Sequence, residues 1–353
     1  MNVKLKQGLG VLRNVKPWVV NICRLLLSLT FLFSGFVKAN DPLGTAIKLV
    51  DYQAAMGVEP ADGLLTLGAS IALSAFEFSL GVALLFGLNR RVTAHLTTLF
   101  MLVMTALTVW LYATDAVTDC GCFGDAFILT NGQTLLKNIV LLAACVPLVL
   151  WSRMQKRLVS EQNSWMVSFP LMVGIVGYAV VCIYRLPCID FRPYHVGADL
   201  VAMRERPSFS STYTYKIHEL DVMDFYMLDA ETDEDVADDY LMAEGYKLML
   251  VAPDLSVADQ GCVGDINLIY DYAHRARIPF CCVTASDTKA QAFWVDHTGA
   301  EYDFYQSDER TLKTMVRANP GLVLFKDGVV VHKWSNWNMP DEEALEQLTM
   351  GDS

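Results

Sequence analysis

Two cysteines one residue apart offer the clearest chemistry in this chain. Cys120 and Cys122 lie in a run from Asp119 to Asp125 that reads DCGCFGD. A disulfide between them would close a very short loop and add little stability, because the entropic gain grows with loop length. Gly121 accepts the unusual backbone angles that such a ring needs. Because strained, exposed disulfides are labile and oxidising, the spacing favours a thiol pair that exchanges electrons.

Metal binding is the weaker interpretation of the same thiols. The flanking ligands in the sequence are carboxylates, Asp119 and Asp125, and no histidine joins them. Structural zinc sites are built from cysteine and histidine, so we expect no metal here.

The composition indicates that the chain has a membrane part. Of 353 residues, 53% are hydrophobic and 19% are charged, and the mean hydropathy is +0.32. A chain this apolar is not an ordinary soluble protein, and it is long enough for two domains. A spanning helix needs about 20 apolar residues. Five runs qualify, and they are Trp18 to Val37, Leu64 to Leu88, Val92 to Ala113, Leu135 to Trp151 and Trp165 to Leu186.

The positions of lysine and arginine predict the orientation, because positive residues stay on the cytoplasmic side. They cluster before the first span, between the second and third, and between the fourth and fifth, at Lys4, Lys6, Arg13, Lys16, Arg90, Arg91, Arg153, Lys156 and Arg157. The cysteine loop, the loop from Lys38 to Gly63 and the chain after Leu186 are then external. We expect a multi-pass protein of the bacterial inner membrane with a cytoplasmic N-terminus and a periplasmic C-terminal domain. Its thiol pair would face an oxidising compartment.

Negative charge is concentrated after the spans. The net charge is −12, and acidic residues cluster from Glu231 to Asp235 and at Asp238 and Asp239. Such a surface excludes nucleic acid as a partner. We interpret the acidic run as a solvated loop.

Short strands and helices replace the long apolar runs after Leu186. Residues 188–245 are expected to form a leading segment with the acidic loop and a β-hairpin made of Tyr213 to Ile217 and Phe225 to Leu228. Strands and helices alternate over residues 246–353, which predicts an external α/β domain with a sheet covered by helices. The predicted strands are Lys247 to Ala252, Pro279 to Thr284, Tyr302 to Tyr305, Leu322 to Phe325 and Val329 to Lys333. The predicted helices are Val263 to Ala276, Thr288 to Val295, Glu309 to Arg317 and one from Pro340.

The run from Asn319 to Gly328, NPGLVLFKDG, resembles the thioredoxin fold signature, in which a cis proline opens a strand that ends in a Phe-x-x-Gly turn. The proline here is Pro320. The resemblance implies a Cys-x-x-Cys pair opposite it, but the matching region reads GCVGD and contains only Cys262. We therefore expect a thioredoxin-like domain over residues 246–353 that lacks the dithiol and binds or positions a partner. Cys262 remains a candidate for a mixed disulfide.

The remaining cysteines have different expected roles. Cys281 and Cys282 are adjacent on a predicted strand, so they should point to opposite faces as buried, inert thiols. Cys188 lies just outside the fifth span, where it is a candidate resolving thiol or structural partner. Six external cysteines leave the pairing open. Those within spans, expected only to pack, are Cys23, Cys145 and Cys182.

Charged residues in or beside the spans could tune the thiol pair. Glu77 lies near the middle of the second span, where an ionisable group is costly and normally faces the bundle interior with a partner. Lys38 ends the first span, and Lys137 with Asn138 begins the fourth. Either lysine could pair with Glu77 or lower the pKa of a thiol. Anchoring to lipid headgroups explains both lysines equally well.

Together these residues resemble the DoxX-like family of small bacterial membrane proteins, and in particular its MauE-type branch. The similarity covers residues 18–151. It implies a four-helix membrane bundle over residues 1–160 that handles disulfides of exported proteins beside a thioredoxin-like partner. That partner would be fused here through a fifth span at residues 161–187. The features that carry the resemblance are FSGFVK from Phe33 to Lys38, Asp41-Pro42, Glu77, Gly81, Gly87, Arg91, the CGCFG run from Cys120, and Lys137-Asn138.

Three functions remain open. The preferred hypothesis is a redox protein in which Cys120 and Cys122 exchange electrons with a quinone or an exported thiol protein, while Glu77 and Lys38 tune their surroundings. The second is non-enzymatic, with the bundle anchoring a thioredoxin-like binding domain. The third is transport of a small solute through a pocket lined by Glu77. Quinone is the one candidate cofactor, and membrane lipid and an exported thiol protein are the expected partners.

Overall fold

The computed structural model describes residues 3–117, 120–205, 225–230 and 232–350. Asp119, Glu231 and the first predicted hairpin strand, Tyr213 to Ile217, lie outside these ranges. The chain divides into two compact units, Met1–Val180 and Val181–Ser353.

The first unit is helical. Its elements are α1 (Val3–Asn40), α2 (Pro42–Ala55), α3 (Gly63–Phe86), α4 (Arg90–Thr114), α5 (Asn131–Leu150) and most of α6 (Ser164–Arg185). Within the described ranges, five helices are long and apolar enough to cross a membrane, namely Val15–Asn40, Gly63–Phe86, Arg90–Thr114, Asn131–Leu150 and Glu161–Arg185. The five predicted spans are confirmed to within a few residues at each end.

Helices α1 and α3 approach each other closely because glycines lie between them. A Cβ atom on Gly35 would lie 2.5 Å from the backbone nitrogen of Phe78, and one on Gly81 would lie 2.7 Å from that of Leu32. Small residues of this kind let helix backbones pack closely in a membrane. The close approach brings the polar residues near the end of α1 within reach of α3.

Helix α2 lies in the loop from Lys38 to Gly63, where the hydropathy pattern gives no sign of it. Asp41 caps its N-terminus by accepting a hydrogen bond from the Gly44 backbone at 2.9 Å, and Pro42 begins the helix. Both residues are favoured at these positions. The Ser70 hydroxyl of α3 donates to the Pro42 carbonyl at 2.7 Å and so fixes the start of α2 against the bundle.

Among its described residues, the second unit contains a six-stranded mixed sheet with the strand order β1-β4-β3-β2-β5-β6. Strands β2, β3 and β4 are parallel, while β5 runs antiparallel to β2 and β6, and β1 runs antiparallel to β4. The strands are β1 (Leu228–Asp229), β2 (Tyr246–Ala252), β3 (Phe280–Thr284), β4 (Asp303–Gln306), β5 (Gly321–Lys326) and β6 (Val329–Ser335). The helices are α7 (Leu200–Glu205), α8 (Ala237–Met242), α9 (Val263–Ala276), α10 (Thr288–Thr298), α11 (Glu309–Met315) and α12 (Glu342–Met350).

The predicted alternation of strands and helices is confirmed, and the described part of the predicted hairpin contributes to β1 at one edge of the sheet. Leu228 and Asp229 pair with β4, where Leu228 lies opposite Gln306. The peptide bond between Asn319 and Pro320 is cis, as predicted.

Each face of the sheet has its own apolar core. Met249, Cys281 and Val323 point into one, and Leu248, Cys282 and Leu324 point into the other, as the alternation of side chains along a strand requires. The adjacent cysteines therefore lie on opposite faces, as predicted. Residues that precede β2 complete the first core, among them Tyr194, Leu200, Phe225 and Met227.

Candidate functional site

The thiol pair lies in the loop that joins α4 to α5. The sulfur atoms of Cys120 and Cys122 are 2.9 Å apart and share a hydrogen bond, and both side chains are buried. Gly121 between them has a φ of +62°, in the left-handed region that glycine enters at little cost. A Cβ atom there would also lie 3.3 Å from Cγ of Lys48. A disulfide bond is about 2.05 Å long, so a small shift would join the two sulfurs.

Side chains from two helices hold the backbone of this loop. The carbonyl of Cys122 accepts hydrogen bonds from Nζ of Lys38 at 2.8 Å and from the Ser34 hydroxyl at 2.7 Å. The carbonyl of Cys120 accepts one from the Tyr52 hydroxyl of α2 at 2.6 Å. The peptide groups that follow Cys120 and Cys122 are thus held by contacts that are distant in sequence.

Lys38 and Glu77 form a buried ion pair beside the loop. Nζ of Lys38 lies 2.8 Å from Oε2 of Glu77, and the two side chains are 5% and 2% exposed. Charges this deeply buried need a partner. The Ser34 hydroxyl lies 2.6 Å from the same Oε2 and accepts a hydrogen bond from Lys38 at 2.7 Å. Because a hydroxyl has one proton, Ser34 donates either to Glu77 or to the Cys122 carbonyl at any moment.

The structure assigns the two candidate lysines to different neighbours. Lys38 pairs with Glu77, whereas Nζ of Lys137 lies 4.2 Å from the centre of the Phe123 ring, next to the thiol pair. Such a cation–π contact favours a lysine that keeps its charge. Asn138 instead ties α5 to α4, since its amide donates to the Thr108 hydroxyl at 3.2 Å.

The remaining acidic candidates are placed less centrally. Asp125 is half-buried in a short 3₁₀ turn, Gly124–Ala126, and Asp119 lies outside the described residues. In the parts of the chain that are described, no three His, Cys, Asp or Glu side chains are grouped to hold a metal ion.

The surroundings lower the pKa of Cys122 and raise the pKa of Cys120. The hydrogen bond from Cys120 lowers the pKa of Cys122, burial opposes this, and the positive charges of Lys137 and Lys38 favour the thiolate further. The hydrogen bond to Cys122 is also the main cause that raises the pKa of Cys120, and burial adds to it. These causes favour Cys122 as the more acidic thiol of the pair.

A small cavity adjoins Cys122. Its volume is about 30 Å³, which holds about one or two water molecules. A quinone ring is larger than this and would have to reach the sulfur from outside the cavity. The polar lining residues are Ser34, Lys38, Glu77, Lys137 and Asn138.

Thiols in the second unit have different surroundings. Cys262 precedes α9, is buried, and donates its S–H to the Asp259 carbonyl at 3.4 Å. Burial, followed by the charge of Asp259, raises the pKa of Cys262 to about 11. Burial also raises the pKa of Cys281 to about 12. The predicted proline, Pro320, directly precedes β5.

One pair of cysteines was not expected to come together. The sulfur atoms of Cys182, near the end of α6, and of Cys188 are 3.8 Å apart. Cys182 therefore does more than pack within its helix. Their separation of six residues across a predicted helix end gave a weak signal for this contact.

Two further residues of the site were missed by sequence reasoning. Ser34 precedes Lys38 by four residues, a spacing that puts both on one face of a helix, and that spacing could have identified it. Tyr52 could have been found only by recognising Asp41-Pro42 as the start of a helix.

Comparison with known proteins gives one match. No curated protein and no solved structure matches the chain significantly. Residues 16–152 match the model of a family described as Methylamine utilisation protein MauE. The matched range contains the thiol pair, the buried ion pair and four of the five candidate spans. Over residues 16–152 this chain is therefore similar to the MauE family of membrane proteins.

Proposed function

We propose that the chain is a thiol–disulfide redox protein of the bacterial inner membrane, and that Cys120 and Cys122 are its reactive pair. The observation that carries this proposal is the contact between two buried sulfur atoms, 2.9 Å apart, in a loop held by Lys38. Thiol–disulfide exchange needs a thiolate to attack, and the surroundings of Cys122 lower its pKa. Cys120, 2.9 Å away, is placed to resolve a mixed disulfide.

Bonds, electrons and protons balance when the thiol pair reacts with either of two partners. With an exported disulfide protein, Cys122 attacks one sulfur and releases the other as a thiolate. Cys120 then loses its proton, attacks Cys122 and releases the client as a dithiol. In the opposite direction, a client thiolate opens the Cys120–Cys122 disulfide and forms a mixed disulfide. A second client thiolate then attacks the client sulfur, so that the client leaves as a disulfide and the pair is left as a dithiol. With a quinone, the dithiol gives up two electrons and two protons and the quinone becomes a quinol.

The buried ion pair supports a positioning role in this chemistry. Lys38 holds the Cys122 carbonyl and also contributes positive charge near the sulfur, while Glu77 holds the Lys38 ammonium in place. An external location of the loop follows from the distribution of basic residues between the spans. In that compartment both oxidants and exported proteins reach the pair.

For the second unit we propose a thioredoxin-like module that binds or positions a client without a dithiol of its own. Three parallel strands followed by an antiparallel pair, with Cys262 at the start of the helix after β2, support this proposal. The raised pKa of Cys262 argues against its acting as a nucleophile.

The transport alternative is less well supported. The Glu77 carboxylate is engaged by Lys38 and Ser34, and the cavity beside it, about 30 Å³, holds about one or two water molecules. Loss of solute uptake in Glu77→Gln with an unchanged thiol state would favour transport over redox chemistry.

Trapping thiols in intact membranes tests the redox proposal. Membranes that contain the full chain are treated with dithiothreitol or oxidised glutathione, quenched in acid and labelled with a maleimide that changes gel mobility. We expect Cys120 and Cys122 to change state together, and Cys120→Ser or Cys122→Ser to abolish the change. Cys145→Ser, a buried thiol of α5, is the matched control and should cycle normally.

The acceptor is identified with the purified, reduced protein. Reoxidation of the pair by a soluble ubiquinone analogue would assign quinone, and reoxidation only by a disulfide would assign an exported protein. A pair that stays in one state under both challenges would overturn the redox proposal and leave a membrane-anchored binding module.

A further inference from the structure

The C-terminal end of α6 carries a second arrangement of sulfur atoms. Sγ of Cys182 lies 3.8 Å from Sγ of Cys188. Cys182 is 1% exposed, whereas Cys188 is exposed to solvent. One sulfur is therefore open to a reagent or a protein, and the other is shielded directly behind it.

A sharp turn of the backbone creates this contact. The helix ends at Arg185, and Leu186 has a φ of +66°, a left-handed conformation that residues other than glycine rarely adopt. The turn reverses the chain and brings Cys188 back to the last turns of the helix. Leu186 can hold this conformation because its side chain is buried in an apolar core of the second unit.

Contacts on both sides hold the turn in place. Before it, the Tyr184 carbonyl accepts a hydrogen bond from the Ser335 hydroxyl at 2.6 Å, and the Tyr184 ring packs edge-on against Trp337 at 4.9 Å. After it, Asp190 accepts hydrogen bonds from Arg192 at 2.7 Å and from Lys333. The two sulfurs are thus held close by a fixed framework.

We propose that Cys182 and Cys188 form a second thiol–disulfide couple, in which Cys188 reacts with a disulfide substrate and Cys182 resolves the product. This couple is independent of the proposed function of Cys120 and Cys122. The Cys188 thiolate attacks a disulfide and releases one half as a thiolate. Cys182 then loses its proton, attacks the Cys188 sulfur and releases the second half. The substrate disulfide is reduced to two thiols, and the cysteine pair is oxidised to a disulfide.

The test uses the full chain in membranes, in a Cys120→Ser/Cys122→Ser background that removes the other pair. Oxidised glutathione is the probe. We expect both Cys182 and Cys188 to be lost from maleimide labelling without retaining glutathione. In the same background Cys182→Ala should leave a stable glutathione adduct on Cys188, and Cys188→Ala should leave Cys182 reduced. Cys262→Ala is the matched control and should keep the joint oxidation of the two cysteines.

A second measurement needs no variant. Trypsin cuts after Arg185, between the two cysteines, so their peptides stay together only when a disulfide joins them. We expect the joined peptides in a non-reduced digest of the oxidised native chain. Separate peptides, or a glutathione adduct that persists on Cys188 while Cys182 is present, would overturn the proposal. Because cycling of Cys120 and Cys122 is measured separately, failure here leaves the proposed function intact, and the converse also holds.

Discussion

Two buried cysteines in different parts of the chain, Cys122 and Cys262, have pKa values shifted in opposite directions from that of an ordinary thiol. Their exposures are 9% and 3%. Burial raises the pKa of Cys262 to about 11. At Cys122 the hydrogen bond from Cys120 outweighs burial, and Lys137 and Lys38 favour the thiolate further. The comparison teaches that, between two buried thiols, a hydrogen-bond donor and nearby cations lower the pKa where burial alone raises it.

The two cysteines also differ in the range of the contacts that hold them. Cys262 bonds to the Asp259 carbonyl, three residues away in sequence. The carbonyl of Cys122 is held by Lys38, 84 residues away. The hydrogen bond of Cys262 is therefore local, whereas the one that holds the Cys122 carbonyl depends on the packing of the helical unit. Substitutions in that packing should make Cys122 behave like Cys262.

Removal of Lys38 should have the largest effect. Lys38→Met leaves the Glu77 carboxylate buried without its cation, and breaking a buried ion pair in this way costs about 3–5 kcal/mol. It also removes a donor to the Cys122 carbonyl. We expect a clear fall in the thermal unfolding midpoint in detergent and slower alkylation of Cys122.

The double variant Lys38→Met/Glu77→Met separates the effect of the buried ion pair on stability from the effect of the Lys38 charge on the reactivity of Cys122. Replacement of both members of a buried pair by apolar side chains is often neutral, so it should recover most of the lost stability. The alkylation rate should not recover, because the cation near the thiolate remains absent. Equal stability of the single and double variants would contradict the ion pair.

Removal of the hydrogen-bond donor at Cys120 should raise the pKa of Cys122. The rate of Cys122 alkylation by iodoacetamide, followed by mass spectrometry against pH, should have a midpoint of about 6 in the native chain. In Cys120→Ala it should rise to about 8.5 or higher, the ordinary thiol range. Cys145→Ala should leave the midpoint where it is. An unchanged midpoint in Cys120→Ala would show that the lysines alone sustain the thiolate.

The same lowered pKa has a consequence for stability. The pKa of Cys122 is lower in the folded state than in an ordinary thiol. The thiolate therefore stabilises the fold fully when the pH is above the ordinary thiol pKa. The contribution is lost as the pH falls through about 6. Between these limits the free energy of unfolding should therefore depend more weakly on pH in Cys122→Ser than in the native chain, as measured by urea unfolding.

A change in helix spacing should have an intermediate effect. Gly35→Ala places a methyl group 2.5 Å from the Phe78 nitrogen, and overpacking of this kind costs about 1–3 kcal/mol. The shift would draw Lys38 away from Glu77 and slow the alkylation of Cys122. Gly68→Ala is the control, because open space surrounds Gly68 and alanine favours a helix. Similar behaviour of the two variants would contradict the role of close helix approach.

Loss of the Tyr52 hydroxyl should have the smallest effect. Tyr52→Phe removes one hydrogen bond to the Cys120 carbonyl, worth about 1 kcal/mol. We expect a small loss of thermal stability and faster hydrogen exchange of the loop amides near Gly121. Tyr112→Phe, at an exposed position on α4, should change neither. Unchanged exchange in Tyr52→Phe would show that Lys38 and Ser34 hold the loop without α2.

Sequence patterns predicted the elements that have strong periodicity. The five spans follow from uninterrupted apolar runs, and the helix Val263–Ala276 was predicted with its observed bounds because an amphipathic pattern marks it. Helix α2 was missed because it is too short for a span and lies in a loop whose hydropathy gives no signal. Tyr52 was missed with it.

The candidate site was predicted as a set of residues but not as an arrangement. The rarity of charge inside a membrane identified Glu77, and the spacing of the thiols identified Cys120 and Cys122. Which lysine pairs with Glu77 was undecidable, because Lys38 and Lys137 both lie at a span end on the same side. Only the packing of α1 against α3 makes that choice.

The sequence by itself determined the number of spans, the chemical nature of the thiol pair and the cost of leaving Glu77 without a partner. These follow from hydropathy, spacing and desolvation, which act locally along the chain. The tertiary structure decided that Lys137 and Lys38 lie near the Cys122 thiol and favour its thiolate, that Lys38 holds its carbonyl, and that Cys182 meets Cys188. Acidity and sulfur contact depend on distances of a few ångströms between segments far apart in the chain or across a helix end, and only the folded backbone sets those distances.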